Sequence, residues 1–200
     1  MILEQITNNV TKNVESTSFS IKANAHAFSV LSDKLYSNKI AAIIRELSTN
    51  AYDAHVAANN ADPIEITLPN IFDLHFIVKD NGVGLSEDQV IGHKEGDVYY
   101  PGIFNTYFES TKQESNEYIG ALGLGSKSPF CYVNSFIVES RYNKKKTVYS
   151  CFKDVNGFPS VAKLSSINTE ERDGLTVIVS VNPDDIDEFV NRVKQYFNEV

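Results

Sequence analysis

Apolar residues at helical spacing predict the longest helix of the chain over Asn38–Ala58. One stripe of that helix would carry Ile40, Ile43, Ile44, Leu47, Ala51 and Ala54. Ser37 is its predicted N-cap, because a serine hydroxyl can accept a hydrogen bond from a free backbone N–H in the first turn. The stripe is wide enough to pack this helix along one side against a core.

A second helix is predicted at the C-terminal end. Asn182 can cap it, and Pro183 suits the first helical position. Asp184 and Asp185 favour the positive end of the helix dipole. Its apolar stripe consists of Ile186, Phe189, Val190, Val193 and Phe197.

Short apolar runs between these helices predict strands. They are Ile64–Leu68, Leu74–Lys79, Ser135–Arg141, Thr147–Phe152, Ser160–Leu164 and Leu175–Val181, with a further strand at Ser18–Ala23 and helices at Ala25–Leu35 and near Ser126–Val133. Most of the strands follow one another directly. The pattern therefore predicts an α+β fold, a two-layer sandwich in which helices cover a mixed or antiparallel sheet.

Two regions depart from this pattern. Residues 1–17 are polar and predict an N-terminal arm, so the folded domain would span 18–200. Between Leu85 and Tyr118 the periodicity weakens, and a long irregular segment in a compact domain is often a lid. Its aromatic residues are candidates for core, for a clasp over a ligand or for a dimer surface, and core packing is favoured. These residues are Tyr99, Tyr100, Phe104 and Phe108.

Composition narrows the function classes. The 200 residues are 42% hydrophobic and 22% charged, which is typical of one globular domain. A formal net charge of −8 argues against general nucleic-acid binding. The sequence has neither a transmembrane run nor a secretion signal. Cys131 and Cys151 lack metal-site spacing and are predicted to be buried hydrophobes in a reducing compartment. We assign no role to the histidines, and we predict a hairpin turn at the basic run 144–146.

Polar residues on the long helix form the first candidate site. Glu46, Asn50 and Asp53 lie at i, i+4 and i+7, within roughly 60° of one another around the helix axis. Because they border the apolar stripe, they would lie near the core. A carboxylate there can orient a water as general base, and an amide oxygen suits Mg²⁺. A solvated helix face with incidental polar residues is the alternative.

A glycine-containing turn forms the second candidate site. Asp80-Asn81-Gly82-Val83-Gly84 follows the apolar run Phe76–Val78. A carboxylate at the end of a strand can accept a hydrogen bond from an exocyclic amine, and glycines allow a flat base to approach the backbone. A simple strand-to-loop turn is the alternative.

A glycine-rich segment forms the third candidate site. Gly120, Gly123 and Gly125 precede a short predicted helix that carries Lys127 and Ser128. The free N–H groups at a helix N-terminus attract phosphate, and an ammonium and a hydroxyl would add to that attraction. A glycine-rich loop without a ligand is the alternative.

The order and spacing of the three motifs resemble those of the GHKL (Bergerat) ATPases, over about residues 25–181. Ser110-Thr111-Lys112 is similar to a motif in MutL-type lids. Residues 35–39, 45–47, 101–105, 114–116 and 123–130 also resemble the rapid-lysis A family of T-even-type phages, whose members are longer than this chain.

The resemblance implies a role for each matching residue. Glu46 would activate water, Asn50 would bind Mg²⁺, and Asp80 would bind the adenine amine of ATP. The glycines and polar residues around them would shape the base pocket and the lid hinge or hold phosphates, and Asp53 would support the pocket floor or bind through water. These are Gly82, Gly84, Gly120, Gly123 and Gly125, with Lys112, Lys127 and Ser128 as helpers.

The sequence departs from the GHKL pattern in two ways. A hydroxyl residue follows the late-strand glycine directly in many relatives, whereas here Leu175 follows Gly174 and the hydroxyl comes at Thr176. Because neighbouring strand residues face opposite sides, Thr176 is expected to point away from the base. The chain also ends without the transducer domain that supplies a lysine in gyrase-like and MutL-like relatives, so slow turnover is expected.

Four functions remain open on the sequence. One is an ATPase in which ATP closes the lid and drives homodimerisation, and another is a nucleotide-sensing module with little hydrolysis. A histidine kinase catalytic domain and an interaction protein with a decayed pocket are weaker alternatives. The phage resemblance implies the cytoplasm of an infected bacterium, phage or host protein partners, and peripheral membrane association through parts of a longer protein.

Overall fold

The computed structural model describes residues 37–105 and 125–198. The predicted arm 1–17, strand Ser18–Ala23 and helix Ala25–Leu35 lie outside these residues, as do Phe108, Lys112, Gly120 and Gly123. The α-helices are α1 (Lys39–Ala57), α2 (Glu87–Ile91) and α3 (Ile186–Asn198). The strands are β1 (Glu65–Thr67), β2 (His75–Lys79), β3 (Gly92–Glu95), β4 (Val98–Pro101), β5 (Ser135–Tyr142), β6 (Lys145–Lys153), β7 (Pro159–Asn168) and β8 (Gly174–Ser180). Short 3-10 helices span Gly125–Cys131 and Pro183–Asp185.

Six strands form one sheet in the order β1-β2-β8-β5-β6-β7, and every neighbouring pair is antiparallel. The predicted α+β sandwich is confirmed, and its sheet is antiparallel. The two-residue turn Asn143-Lys144 joins β5 to β6 with positive φ at both positions, so Lys145 and Lys146 belong to β6 rather than to the predicted turn.

Helix α1 packs its apolar stripe against one face of the sheet. Ile43, Ile44 and Leu47 are buried there with Val138 and Val179 of the central strands. The predicted cap is wrong by one residue, because Asn38 caps the helix: its side-chain Oδ1 accepts a 2.8 Å hydrogen bond from the Ala41 N–H. The C-terminal helix begins as predicted, with Asn182 as cap and Pro183 in the first turn.

The predicted irregular lid is partly regular. Ser86 and Gln89 form a reciprocal capping box that begins α2, and β3 and β4 form a two-stranded hairpin after it. Of the lid aromatics, Phe104 is buried as predicted. Tyr99 and Tyr100 are half exposed, so core packing is the wrong interpretation for them. Their strand pairs with β3 alone in the described residues, where the Tyr100 ring stacks on His93 and the Tyr99 hydroxyl donates a 3.2 Å hydrogen bond to the Ile91 carbonyl.

No helix in the described part of the chain is long and apolar enough to cross a membrane. Cys131 and Cys151 are both buried, as predicted, and form no disulfide within the described ranges. Burial raises the pKa of the Cys151 thiol, which keeps it protonated and unreactive.

Candidate functional site

The polar strip of α1 lies at the border of the core. Asp53 is buried, while Glu46 and Asn50 are partly exposed. Arg45 donates a 2.7 Å hydrogen bond from Nη2 to Oε1 of Glu46, and their side chains are 57% and 21% exposed. One carboxylate oxygen of Glu46 is therefore paired with its neighbour on the helix, and Oε2 remains for another contact.

The glycine-rich segment meets this strip at Gly125. A Cβ placed on Gly125 would lie 2.7 Å from Oε2 of Glu46 and 3.3 Å from Nδ2 of Asn50. The first 3-10 helix thus begins directly against the two polar side chains. The first and third predicted motifs are adjacent in space, and only a glycine fits between them without moving Glu46.

The Asp80 turn follows β2 and reaches the same helix. Oδ1 of Asp80 accepts hydrogen bonds from the Gly82 N–H at 2.9 Å and from the Leu175 N–H at 3.1 Å. Asp80 is 5% exposed, and among the described residues its Oδ2 accepts no hydrogen bond. The turn therefore fixes the carboxylate through one oxygen and leaves the other as an acceptor.

Burial raises the pKa of the Asp80 carboxyl above its ordinary value, because a charged carboxylate loses water contacts there. The hydrogen bonds from Gly82 and Leu175 act in the opposite direction, followed by the positive charge of Arg141 and by His55. The charge state of Asp80 is therefore set by a balance between desolvation and its neighbours.

Close packing explains why two of the motif positions are glycine. A Cβ on Gly82 would lie 2.5 Å from Cβ and 2.7 Å from the backbone oxygen of Ala54, in α1. Gly84 has φ +63°, and a Cβ there would meet the Arg141 backbone oxygen at 2.2 Å. The second motif is therefore pressed against α1 on one side and against the central strands on the other.

His55 is a part of this site that the sequence did not reveal. Its Nε2 accepts a 2.8 Å hydrogen bond from the Asn81 N–H, and its Nδ1 lies 2.9 Å from the Asp62 backbone oxygen. The Asn81 carbonyl accepts a 3.0 Å hydrogen bond from Asn60. The i+9 spacing from Glu46 gave no signal for this role.

Thr176 lies on the opposite face of the sheet from α1. Val177 and Val179 point into the core, so Thr176 alternates away from it. Its Oγ1 accepts a 2.7 Å hydrogen bond from Nη1 of Arg141. The orientation of Thr176 relative to a base stays a prediction. The bond reveals Arg141, which the sequence pattern presents as an ordinary strand residue.

Lys127 and Ser128 are both buried in the first 3-10 helix. The Lys127 ammonium lies within electrostatic reach of the Cys151 thiol, where it opposes the effect of burial on the pKa of that thiol. Ser128 Oγ is buried and has no hydrogen-bond partner in the part of the chain that the structure describes. Contacts of these two residues with phosphate stay predictions.

The topology agrees with a known architecture. The structure is similar to the ATPase region of Saccharomyces cerevisiae topoisomerase II, solved with ICRF-187 (dexrazoxane), at a TM-score of 0.52. The match covers 76% of this chain and 39% of that one at 18% identity, and such a likeness shows the fold alone. The chain has the Bergerat ATPase fold. In this Bergerat domain, α1 and the turns at Asp80 and Gly125 enclose the candidate site.

Sequence comparison agrees with this fold. The chain is 32% identical over 116 residues to the chaperone protein HtpG of Chlorobium phaeovibrioides, and 29% identical over 170 residues to HtpG of Francisella tularensis subsp. holarctica. These matches cover 49% and 76% of this chain but only 18% and 26% of the relatives. The chain thus matches about a quarter or less of their length. No protein-family model matches it.

Proposed function

We propose that this domain binds Mg-ATP in a Bergerat pocket and hydrolyses it slowly, with nucleotide-driven lid closure or dimerisation. The observation that carries the proposal is that the second and third motifs both pack against α1, the helix that carries the first. Gly125 lies against Glu46 and Asn50, and Gly82 lies against Ala54 two turns further along the same helix. A nucleotide that lies along one helix requires this arrangement, with its base at one end of the helix and its phosphates at the other.

Asp80 suits the base end of the pocket. Its Oδ1 is held by two backbone N–H groups, and Oδ2 is left as an acceptor for an exocyclic amine. A buried acceptor discriminates strongly between ligands, because a ligand that lacks the matching donor leaves the acceptor without a hydrogen bond. Adenine has such an amine at the position where guanine has a carbonyl, so we propose that ATP and ADP are the ligands. Gly82, Gly84 and Asp53 would shape the pocket around the base.

The residues at the other end fit phosphate and Mg²⁺. The Asn50 amide oxygen is a hard ligand beside the glycine turn, and Mg²⁺ bound there would neutralise phosphate charge. A side chain on Gly125 would fill the space next to Glu46, and the buried Ser128 hydroxyl has no hydrogen-bond partner among residues 37–105 and 125–198. Gly120, Gly123, Lys112 and Lys127 are proposed as further phosphate contacts.

Glu46 is the proposed general base. Its Oε2 faces Gly125, where a water in line with a terminal phosphate would lie, while Arg45 holds Oε1. A carboxylate positioned in this way accepts the proton of the attacking water. We expect Glu46→Ala to abolish ATP turnover and to leave binding of ADP within a few fold, with Glu188→Ala on the exposed surface of α3 as the matched control.

A nucleotide-sensing module with little hydrolysis is the second candidate. The Arg45–Glu46 ion pair favours it, because one oxygen of the proposed base is occupied by a neighbouring cation. Under this alternative the wild type and Glu46→Ala would both turn over at background rate. Sedimentation with a non-hydrolysable ATP analogue would still show dimer formation, and the dimer would then be the output of the domain.

We further propose that the domain is the N-terminal module of a phage protein similar to the rapid-lysis A family. The sequence similarity at residues 35–39 and 123–130 supports this role, which would place the protein in the host-cell cytoplasm with phage or host protein partners. Affinity purification of the tagged chain from infected cells, with and without the Glu46→Ala change, tests it. Recovery of the same proteins by an unfolded variant would contradict a specific partner.

A further inference from the structure

Arg141 is buried in the strand next to the Asp80 turn. Its side chain is 2% exposed, although it lies on the face of β5 opposite to the α1 core, where a long cationic side chain normally reaches solvent. A buried guanidinium is costly unless its N–H groups are satisfied. The fold must therefore provide Arg141 with partners that hold it in place.

Those partners are oxygens around the Asp80 turn. Nη2 donates a 2.5 Å hydrogen bond to the backbone oxygen of Asp80, and Nη1 donates one of 2.7 Å to Oγ1 of Thr176. Nε donates a 3.0 Å bond to the backbone oxygen of Arg172. The nearest carboxylate is that of Glu171, with Oε2 at 3.9 Å from Nε and its side chain half exposed. The planar fork of arginine reaches all these acceptors at once, which a lysine cannot do.

Two glycines allow this approach. A Cβ on Gly174 would lie 2.2 Å from the Asp80 oxygen and 2.8 Å from Nη2 of Arg141, so any side chain there would separate the bonded pair. The backbone of Gly84 passes against the Arg141 carbonyl in the same way. The turn after Asp80 and the start of β8 are thus packed closely against Arg141, Gly84 at its backbone and Gly174 at its guanidinium.

We propose that Arg141 is a positioning residue for nucleotide recognition, which holds the Asp80 turn in register and keeps the Asp80 carboxylate ionised as the acceptor for the base. This inference rests on the proposed function. Arg141 does not touch the base in this account, because its hydrogen bonds go to the backbone of Asp80 and to the far side of β8. It acts through the position and the charge of Asp80.

The charges around Asp80 support the electrostatic half of the proposal. Burial raises the pKa of Asp80, and Arg141 from β5 and His55 from α1 oppose that effect. Around Arg141 itself, the charged groups include Glu171, Arg172 and, on β6, Lys146. Glu65 on β1 also lies within its reach, and Arg141 contributes to the lowered pKa of that carboxyl. Removing the guanidinium charge therefore shifts Asp80 toward its protonated form, which no longer offers two lone-pair oxygens to an amine.

The test compares Arg141→Met with Lys146→Met and with Arg141→Lys. Lys146 is the register partner of Arg141 on β6 and bonds Glu139 at 2.9 Å, with Glu171 at 3.8 Å. Its removal deletes the same charge from the same face of the sheet. Two quantities are measured: the carboxyl titration of Asp80 by carbon NMR without nucleotide, and the affinity for a non-hydrolysable ATP analogue as a function of pH.

In Arg141→Met we expect the Asp80 titration to move to higher pH. The affinity should be roughly tenfold lower below the new midpoint than above it, where only the pH-independent loss from the unheld turn remains. Lys146→Met should leave both quantities at wild-type values. An equal loss of affinity at every pH, or an unmoved Asp80 titration, would reduce Arg141 to a structural residue and overturn the proposal. A wild type that binds no nucleotide would refute the proposed function, while the NMR titration would still decide the role of Arg141.

Arg141→Lys covers the case in which the methionine variant does not fold. This variant keeps the charge and loses the fork, so its Asp80 titration should stay near the wild-type pH while its affinity falls, because the turn is no longer held at three points. Wild-type affinity in a folded Arg141→Lys protein would contradict the positioning role.

Discussion

The backbone N–H of Asn81 donates a 2.8 Å hydrogen bond to Nε2 of His55, and this bond joins the turn after β2 to the last turns of α1. The second ring nitrogen of His55 bonds the Asp62 carbonyl, so the imidazole bridges two backbone segments. The proposed base pocket lies directly beside this bridge, since Asp80 precedes Asn81. His55 thus links the position of the helix to that of the turn.

Replacing His55 with leucine removes this bridge. The change leaves the Asn81 N–H and the Asp62 carbonyl without their partner. Asp62 is exposed and its carbonyl can bind water, so the loss of about 1–3 kcal/mol of unfolding free energy comes from the half-buried Asn81 N–H. Urea denaturation measures the loss. The control is His75→Leu, since the His75 side chain is 46% exposed and should change stability by less than about 0.5 kcal/mol. Equal stability of the two variants would contradict the bridging role.

Asp80→Asn should stabilise the free protein at neutral pH. Because the folded-state pKa of Asp80 is raised, its contribution to stability is fully present below the ordinary carboxyl range and is lost as pH rises through the folded-state pKa. The asparagine keeps an oxygen for the Gly82 and Leu175 N–H groups and has no charge to desolvate. The gain relative to wild type should grow from acid to neutral pH in urea denaturation. A variant that is equally destabilised at both ends would show that the charge carries no penalty.

Gly82→Ala should destabilise the domain. The new Cβ would lie 2.7 Å from backbone atoms of Ala54, and a helix backbone cannot move aside as a flexible side chain can. Overpacking of this kind costs about 1–3 kcal/mol. Ala54→Gly in the same chain removes the contact with the Ala54 Cβ but not the backbone contacts, so we expect partial rescue at most. Full stability of the single variant in thermal unfolding would contradict the close approach of turn and helix.

Gly125→Ala should affect activity more than stability. Its new Cβ meets Oε2 of Glu46, the far end of a flexible side chain, so the protein can accommodate it by moving that carboxylate. If Glu46 is the general base, ATP turnover should fall by about 10²-fold or more, as expected for the loss of a positioned base. Melting temperature should change little. Wild-type turnover in a folded Gly125→Ala protein would contradict the role of Glu46 as the general base.

The sequence predicted the elements whose pattern is local and left out those that depend on distant contacts. The stripe on α1 and the apolar runs of the sheet follow from periodicity, and the cap at Asn182 was correct. The sequence contains two local signals that the prediction of an irregular lid did not use. They are the capping box from Ser86 to Gln89, which begins a short helix, and the Gly96-Asp97 turn, which joins the strands of a hairpin. The weak apolar periodicity of this small, exposed unit led to the prediction of an irregular segment.

The candidate site divides in the same way. The motif residues on α1 and in the two glycine turns were predicted, and the structure brings Glu46, Asn50 and Gly125 together. Arg141 and His55 were missed, because their partners lie 61 and 26 residues away along the chain. An arginine on an outward strand position normally predicts a solvated side chain. Here Gly174 makes room for it to be buried, because a Cβ at that position would lie 2.8 Å from Nη2 of Arg141.

The central claim is that Asp80 holds the base of a nucleotide bound along α1. Isothermal titration calorimetry with a non-hydrolysable ATP analogue and Mg²⁺ tests it on the wild type, Asp80→Asn and Asp154→Asn. Asp154 is the matched control, because its Oδ1 accepts the N–H two residues ahead, as that of Asp80 does, but in the β6–β7 hairpin. Binding by the wild type and by Asp154→Asn, with none by Asp80→Asn, is the predicted result. Absence of binding in the wild type, or equal binding in all three proteins, would contradict the account.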